Sequence, residues 1–135
     1  MTVTTLRSRY LNDSVTTATP AQLLVMLYDR LVLDLNHAEK ALRESDRGTA
    51  TARLMHAQEI VMELRVTLDM DAWAGAQGLA SLYGFLLTEL VGANVRGDAD
   101  RVASCRALVE PLRDAWREAA AEMAADGRAA TTAAA

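Results

Sequence analysis

Apolar residues recur in this chain at intervals of three and four, in four successive blocks, and that period admits helices and little else. The first block is the sharpest. In "TATPAQLLVMLYDRLVLDL", residues 17–35, Thr19 is placed to cap a helix, Pro20 takes its first position and Gln22 completes a capping box. At about 100° per residue, Leu23, Leu24, Leu27, Tyr28, Leu31, Leu35, Ala38 and Leu42 share one face. The stripe runs to Arg43, and the polar "RESDRG" ends it.

Three further blocks follow. Thr49 is expected to open the second helix, with Ala50, Leu54, Ala57, Ile60, Val61, Leu64 and Leu68 inward. "DMDAWAGAQG" breaks the pattern with two glycines. A third helix carries Leu79, Leu82, Tyr83, Leu86, Leu90 and Ala93 and stops at Gly97, a good residue for a left-handed cap. Asp98 then caps a fourth, which turns Val102, Cys105, Leu108, Val109, Leu112, Trp116, Ala119 and Met123 inward and accommodates Pro111 as a bend. Four amphipathic helices of matched length with short connections predict an all-α, antiparallel up-and-down four-helix bundle over residues 19–124. Residues 1–18 read as a flexible N-terminal tail or lid. The Ala-rich stretch 125–135 reads as a disordered tail.

Composition narrows the function. Apolar residues make up 51% of the chain but aromatics only 4%, a balance suited to interlocking helices rather than to a β-sandwich. A net charge of −4 argues against a nucleic-acid binder. No wholly apolar run approaches the ~20 residues of a membrane span, and "MTVTTLRSRYLND" lacks the apolar stretch of a secretory signal. A single cysteine, Cys105, fits a reducing compartment and reads as a buried structural thiol. The expectation is a soluble, cytoplasmic protein with neither membrane insertion nor nucleic-acid binding.

The same search finds no chemistry. A di-iron bundle wants Glu-x-x-His on two helices and a Glu from each of the others. Here His56-Ala57-Gln58-Glu59 has the wrong order and is not repeated, and the core stripes are read as free of carboxylates. Asp69 and Asp71 begin something like a calcium loop, but Trp73 and Ala80 stand where ligands belong. There is no phosphate loop and no nucleophile–base signature. No metal, no cofactor and no enzymatic activity are expected.

What the helices do carry is more apolar surface than one stripe each requires. Met55, Met62 and Val66 form a row roughly opposite the core stripe of the second helix. Leu87, Val91 and Val95 flank Ala80 and Gly84 on the third, where the two small residues leave a shallow trough. The first helix adds Met26 with Leu33 and Val25 with Val32, pairs that border its stripe and equally well widen the core. Burying one Met, Val or Leu is worth roughly 1.5–3 kcal/mol, so five such residues would anchor a partner segment firmly, and methionine adapts to varied ligands.

The ordered pieces resemble the flagellar secretion chaperones of the FliS family over about residues 10–119. Tyr10 and Val15 precede "TATPAQLLVMLYD"; "AQEIVMELRVTLDM", "LYGFLLTELVGANVRGD" and "LVEPLRDAWREA" follow in order at the family's separations. Arg30, where relatives often have glycine, and Pro111, in a helix usually continuous, depart from the pattern.

The resemblance implies a small helical bundle that holds the disordered C-terminal segment of flagellin. It would prevent premature polymerisation and yield the segment to the flagellar export apparatus. The candidate client-binding residues are then Met55, Met62, Val66, Ala80, Gly84, Leu87 and Val91, with Tyr10 and Val15 on a tail that occupies or borders the groove. Asn94 borders a core stripe and needs a partner, either across the bundle, the favoured reading, or on client backbone. The alternative is a non-catalytic adaptor bundle that homodimerises through the same rows; the chaperone reading expects weak self-association at most.

Overall fold

The structure is a computed structural model and describes residues 18–134. Among them are four helices and no strand: α1 (Pro20–Arg43), α2 (Arg47–Thr67), α3 (Ala76–Arg96) and α4 (Ala99–Ala134). The helix starts follow from local chemistry. Thr19 Oγ1 accepts the Gln22 amide at 3.1 Å and Gln22 Oε1 accepts the Thr19 amide at 2.8 Å, the reciprocal capping box, with Pro20 just inside. Asp98 Oδ1 accepts the Arg101 amide at 3.1 Å at the head of α4. Gly97, at φ 64°, ends α3 in the left-handed region. The start of α2 differs from expectation. Asp46 rather than Thr49 opens it: its Oδ1 accepts the Thr49 amide at 3.2 Å, so the helix begins at Arg47.

α1 packs against α2 and α4, and α3 packs against the same two helices, closing a four-membered ring of neighbours. The stripes read from the period fill the centre: Tyr28, Leu31, Leu35, Leu54, Ile60, Leu64, Tyr83, Leu86, Leu90, Val102 and Val109 are all buried. Across the diagonal, the hydroxyls of Tyr28 and Tyr83 share a 2.6 Å hydrogen bond inside this core. Burial pushes both phenols up from their ordinary range, most strongly Tyr83, so both stay neutral. Replacing Tyr83 by phenylalanine removes the 2.6 Å partner of the buried Tyr28 hydroxyl and is expected to cost about 1–3 kcal/mol. The double phenylalanine variant should recover most of that in urea melts. Equal and additive losses would mean that the pair is not coupled.

Several expectations need correction. The core is not free of carboxylates: Asp34 on α1 and Glu63 on α2 are both buried. Asp34 is tolerated because three bases meet it, Arg30 Nε at 3.5 Å, Arg53 at 3.2 Å and His56 Nδ1 at its second oxygen. Leu108 and Met123 are exposed rather than inward. α4 runs 36 residues, and its helix continues through the stretch expected to be a disordered tail. Alanine is the strongest helix former, and the Ala-rich sequence extends α4 with little tertiary support. The helix also passes Pro111 without a break, with the ring at the surface.

The α1–α4 seam is laced by charge. Arg106 pairs with Glu39, Arg43 reaches Glu39 at 2.9 Å and Asp100 at 3.1 Å, and Arg117 reaches Asp29 at 2.6 Å. The hydrogen bond from Arg106, helped by Arg43, holds the Glu39 carboxyl below its ordinary value of 4.5. The unfolded chain therefore binds this proton more readily than the folded one. The stabilisation is complete above the ordinary carboxylate value and is lost as pH falls through the lowered one. Thermal melts toward acid pH should show this loss, and Glu39→Gln should flatten it; an unchanged acid profile would remove Glu39 from the account.

Candidate functional site: the outer face of α2 and α3

Two contacts at one end of the bundle fix how α2 lies along α3. Thr51 Oγ1 donates to Asn94 Oδ1 at 3.0 Å, and Arg47 donates to the Asn94 backbone carbonyl at 2.8 Å. Asn94 thus finds its partner inside the chain, the first of the two roles open to it. With the helices antiparallel, equal steps away from the Thr51–Asn94 contact bring Met55 level with Leu90, Met62 with Tyr83 and Val66 with Leu79, each one residue from Val91, Gly84 and Ala80. Met55, Met62 and Val66 point away from the core stripe of α2, and Ala80, Gly84 and Val91 lie on the side of α3 that carries Asn94, outside its core row.

Exposure agrees. Met55, Met62 and Val66 are 55%, 43% and 73% exposed, and Val91 and Val95 49% and 74%. Leu87 is half-buried and leans on the core, and Ala80 and Gly84 form the low ground between the larger side chains. Met55, Met62, Val66 and Val91 are thus exposed, Ala80, Gly84 and Leu87 are intermediate, and Asn94 is joined to α2 through Thr51 and Arg47. Val95 continues the α3 row at the Asn94 end. Tyr10 and Val15 lie outside the described residues.

α3 shows most clearly why this face is unusual. By length and composition alone it is apolar enough to cross a membrane, with a mean hydropathy of 1.3 over its most apolar window, yet only 28% of that window is buried. Its apolar residues are split between a core row, Leu79, Tyr83, Leu86 and Leu90, and an outer row that the bundle does not cover.

The outer pairs of α1 divide. Val32 is buried and belongs to the core, whereas Leu33 is 40% exposed. Val25 and Met26 line a cleft of about 310 Å³ with Ala120, Ala121 and Ala124 of α4. Exposed apolar residues that went unread as surface include Met70, Phe85 on α3, and Leu108 and Met123 on α4.

The remaining chemistry is structural. Asp69 Oδ1 accepts the Asp71 amide at 3.0 Å, so that carboxylate closes a turn. Trp73 stacks edge-on against Trp116, with centroids 6.3 Å apart. Burial pushes the Cys105 thiol up to about 11, which leaves it an unreactive core residue. Among the described residues no three His, Cys, Asp or Glu side chains gather as a metal site.

The family description "Flagellar protein FliS" matches residues 3–123, a span that contains every residue of the α2–α3 face. The chain belongs to the FliS family. Among its FliS relatives, the flagellar secretion chaperone of Bacillus subtilis (strain 168) is 33% identical over 110 residues, covering 82% of each chain. That of Escherichia coli (strain K12) is 31% identical over 108 residues, covering 78% of this chain and 79% of the relative. A solved structure described as a flagellar chaperone from bacteria superposes with a TM-score of 0.71 over 88% of this chain and 98% of the other. At 18% identity it supports the bundle fold alone. The FliS match ends at Met123, so the last turns of α4 lie beyond it.

Proposed function

We propose that this FliS-family chain is a non-catalytic, cytoplasmic export chaperone that holds the disordered C-terminal segment of flagellin on the outer face of α2 and α3. Covering the apolar assembly residues of that segment keeps flagellin from polymerising early. A surface held by side-chain burial, with no covalent or metal chemistry, allows it to be handed on to the export apparatus. The observation that carries this reading is the uncovered apolar row beside a core that is already complete. Large apolar patches on an otherwise charged surface mark sites for a partner, and an apolar helix face recruits a segment that can bury its own apolar side there.

Calorimetric titration with a C-terminal peptide of flagellin from the same organism tests it. One-to-one binding with a negative heat-capacity change is expected. Absence of binding, with a stable dimer in sedimentation, would replace this reading by a self-associating adaptor.

A further inference from the structure

The chain holds six methionines and one cysteine, and their sulfurs are not equally open to an oxidant. Cys105 is 1% exposed, and burial pushes its thiol up to about 11. Thiol oxidation runs through the thiolate, so a peroxide finds the Cys105 sulfur neither open nor ionised. Methionine has no proton to lose first, and its thioether reacts wherever an oxidant reaches it. Met55, Met62, Met70 and Met123 are 55%, 43%, 45% and 63% exposed. Met26 is half-buried in the cleft against α4.

Two of these methionines stand on the candidate face. Met55 and Met62 are seven residues apart, about two turns, and so share one side of α2. Met70 lies past the end of α2, and Met123 is on α4.

We propose that Met55 and Met62 form an oxidant-sensitive modification site, where a hydroperoxide turns the client face into a non-binding form that a sulfoxide reductase restores. The inference rests on the function proposed above and adds its regulation. The thioether sulfur attacks one peroxide oxygen: an S–O bond forms, the O–O bond breaks, and the second oxygen leaves as water with both peroxide protons. The sulfur gives up two electrons and the peroxide takes them. In repair, two thiols supply two electrons, the sulfoxide oxygen leaves as water, and the thiols close to a disulfide.

Burial separates the effect on binding from any effect on folding. Both side chains are about half in water, so a sulfoxide at either keeps its hydration in the free protein. The stripe beneath them is closed by Leu54, Ile60 and Val61, which have nothing to oxidise. In the complex, a soft apolar side chain suited to varied partners has become a polar group that must shed water against an apolar surface. Two such groups on one row act on the same contact.

The test titrates wild type, the Met55→Leu/Met62→Leu double variant and the Met70→Leu/Met123→Leu double variant with the synthetic flagellin C-terminal peptide. Each is measured before and after treatment with hydrogen peroxide, which is removed before peptide is added, and each is compared only with itself. Peptide mapping by mass locates the sulfoxides, and thermal melts follow the fold. Oxidised wild type should carry sulfoxide at Met55 and Met62, melt as before, and bind at least about tenfold more weakly. The two methionine sulfoxide reductases, one for each epimer, should restore it in the presence of a dithiol. Leucine has similar volume and no sulfur, so the Met55/Met62 variant should keep its own affinity through oxidation. The Met70/Met123 variant should lose as much as wild type.

Unchanged binding by wild type with both sulfoxides formed would overturn the inference and leave the client reading intact. So would an absence of sulfoxide at these two positions. An equal loss in the Met55/Met62 variant would place the sensitive sulfur elsewhere, and a fall in melting temperature alongside affinity would reduce the effect to damage of the fold; either result overturns the site. No binding by untreated wild type would overturn the client reading and this inference together.

Discussion

Asp34→Ala is expected to lower the stability of the bundle by about 3 kcal/mol, near the lower end of the range for breaking a buried ion pair. At this chain length that is a fall of about 10 °C in melting temperature. The carboxylate is 0% exposed, and removing it leaves the Arg30 and Arg53 guanidiniums at the α1–α2 seam without their counter-charge and takes one partner from His56. The estimate stays at the lower end because the Arg30 and Arg53 side chains are 37% and 33% exposed, so water screens part of their repulsion. The same geometry predicts an asymmetry. Arg53→Met should cost less than about 1 kcal/mol, because Asp34 keeps two other partners and the methionine stem preserves the packing. Urea denaturation of both variants decides it. Equal losses, or a neutral Asp34→Ala, would show that the cluster does not hold α1 to α2.

Asp34 also shows where the sequence stops being legible. It falls three residues after Leu31 and four before Ala38, within the buried arc of α1, so periodicity alone would have placed it inside. Its charge argued it outward, because a buried carboxylate is costly unless it is paired. Its partners come from a different helix, at positions that nothing local on α1 announces, apart from Arg30 one turn earlier.

Caps and stops were legible for the opposite reason. Thr19 with Gln22, Asp98 with Arg101 and the glycine at position 97 act within four residues of one another, so the chain spells them out. Most of the α2–α3 face was legible too, because a second apolar row on one helix is visible in its period. Leu108 was not. It borders the inner arc of α4 next to the buried Val109, and period alone does not separate the two, yet it is exposed.

Met62→Glu is expected to weaken the flagellin peptide at least about a hundredfold, roughly 2.7 kcal/mol, while leaving the free protein folded. Both halves follow from the side chain's place. Met62 is 43% exposed, so a charge there finds water in the free protein and should shift its melting by no more than an ordinary surface change. In the complex the position lies at the middle of the face, between Met55 and Val66. The variant then loses the burial of a methionine, roughly 1.5–3 kcal/mol, and also asks a carboxylate to desolvate without a partner.

Leu33→Glu on α1 is the matching control, because Leu33 is similarly exposed, at 40%, but lies off the α2–α3 seam. It should bind as wild type does. Equal weakening in both variants would mean that charge acts through the whole surface or that the client wraps past α1. Full binding by Met62→Glu would place the client on another face, with the Phe85–Leu108 surface of the α3–α4 seam the next to be charged. A lost interaction in Met62→Glu alone, with helicity and melting preserved, would tie the surplus apolar row to the client.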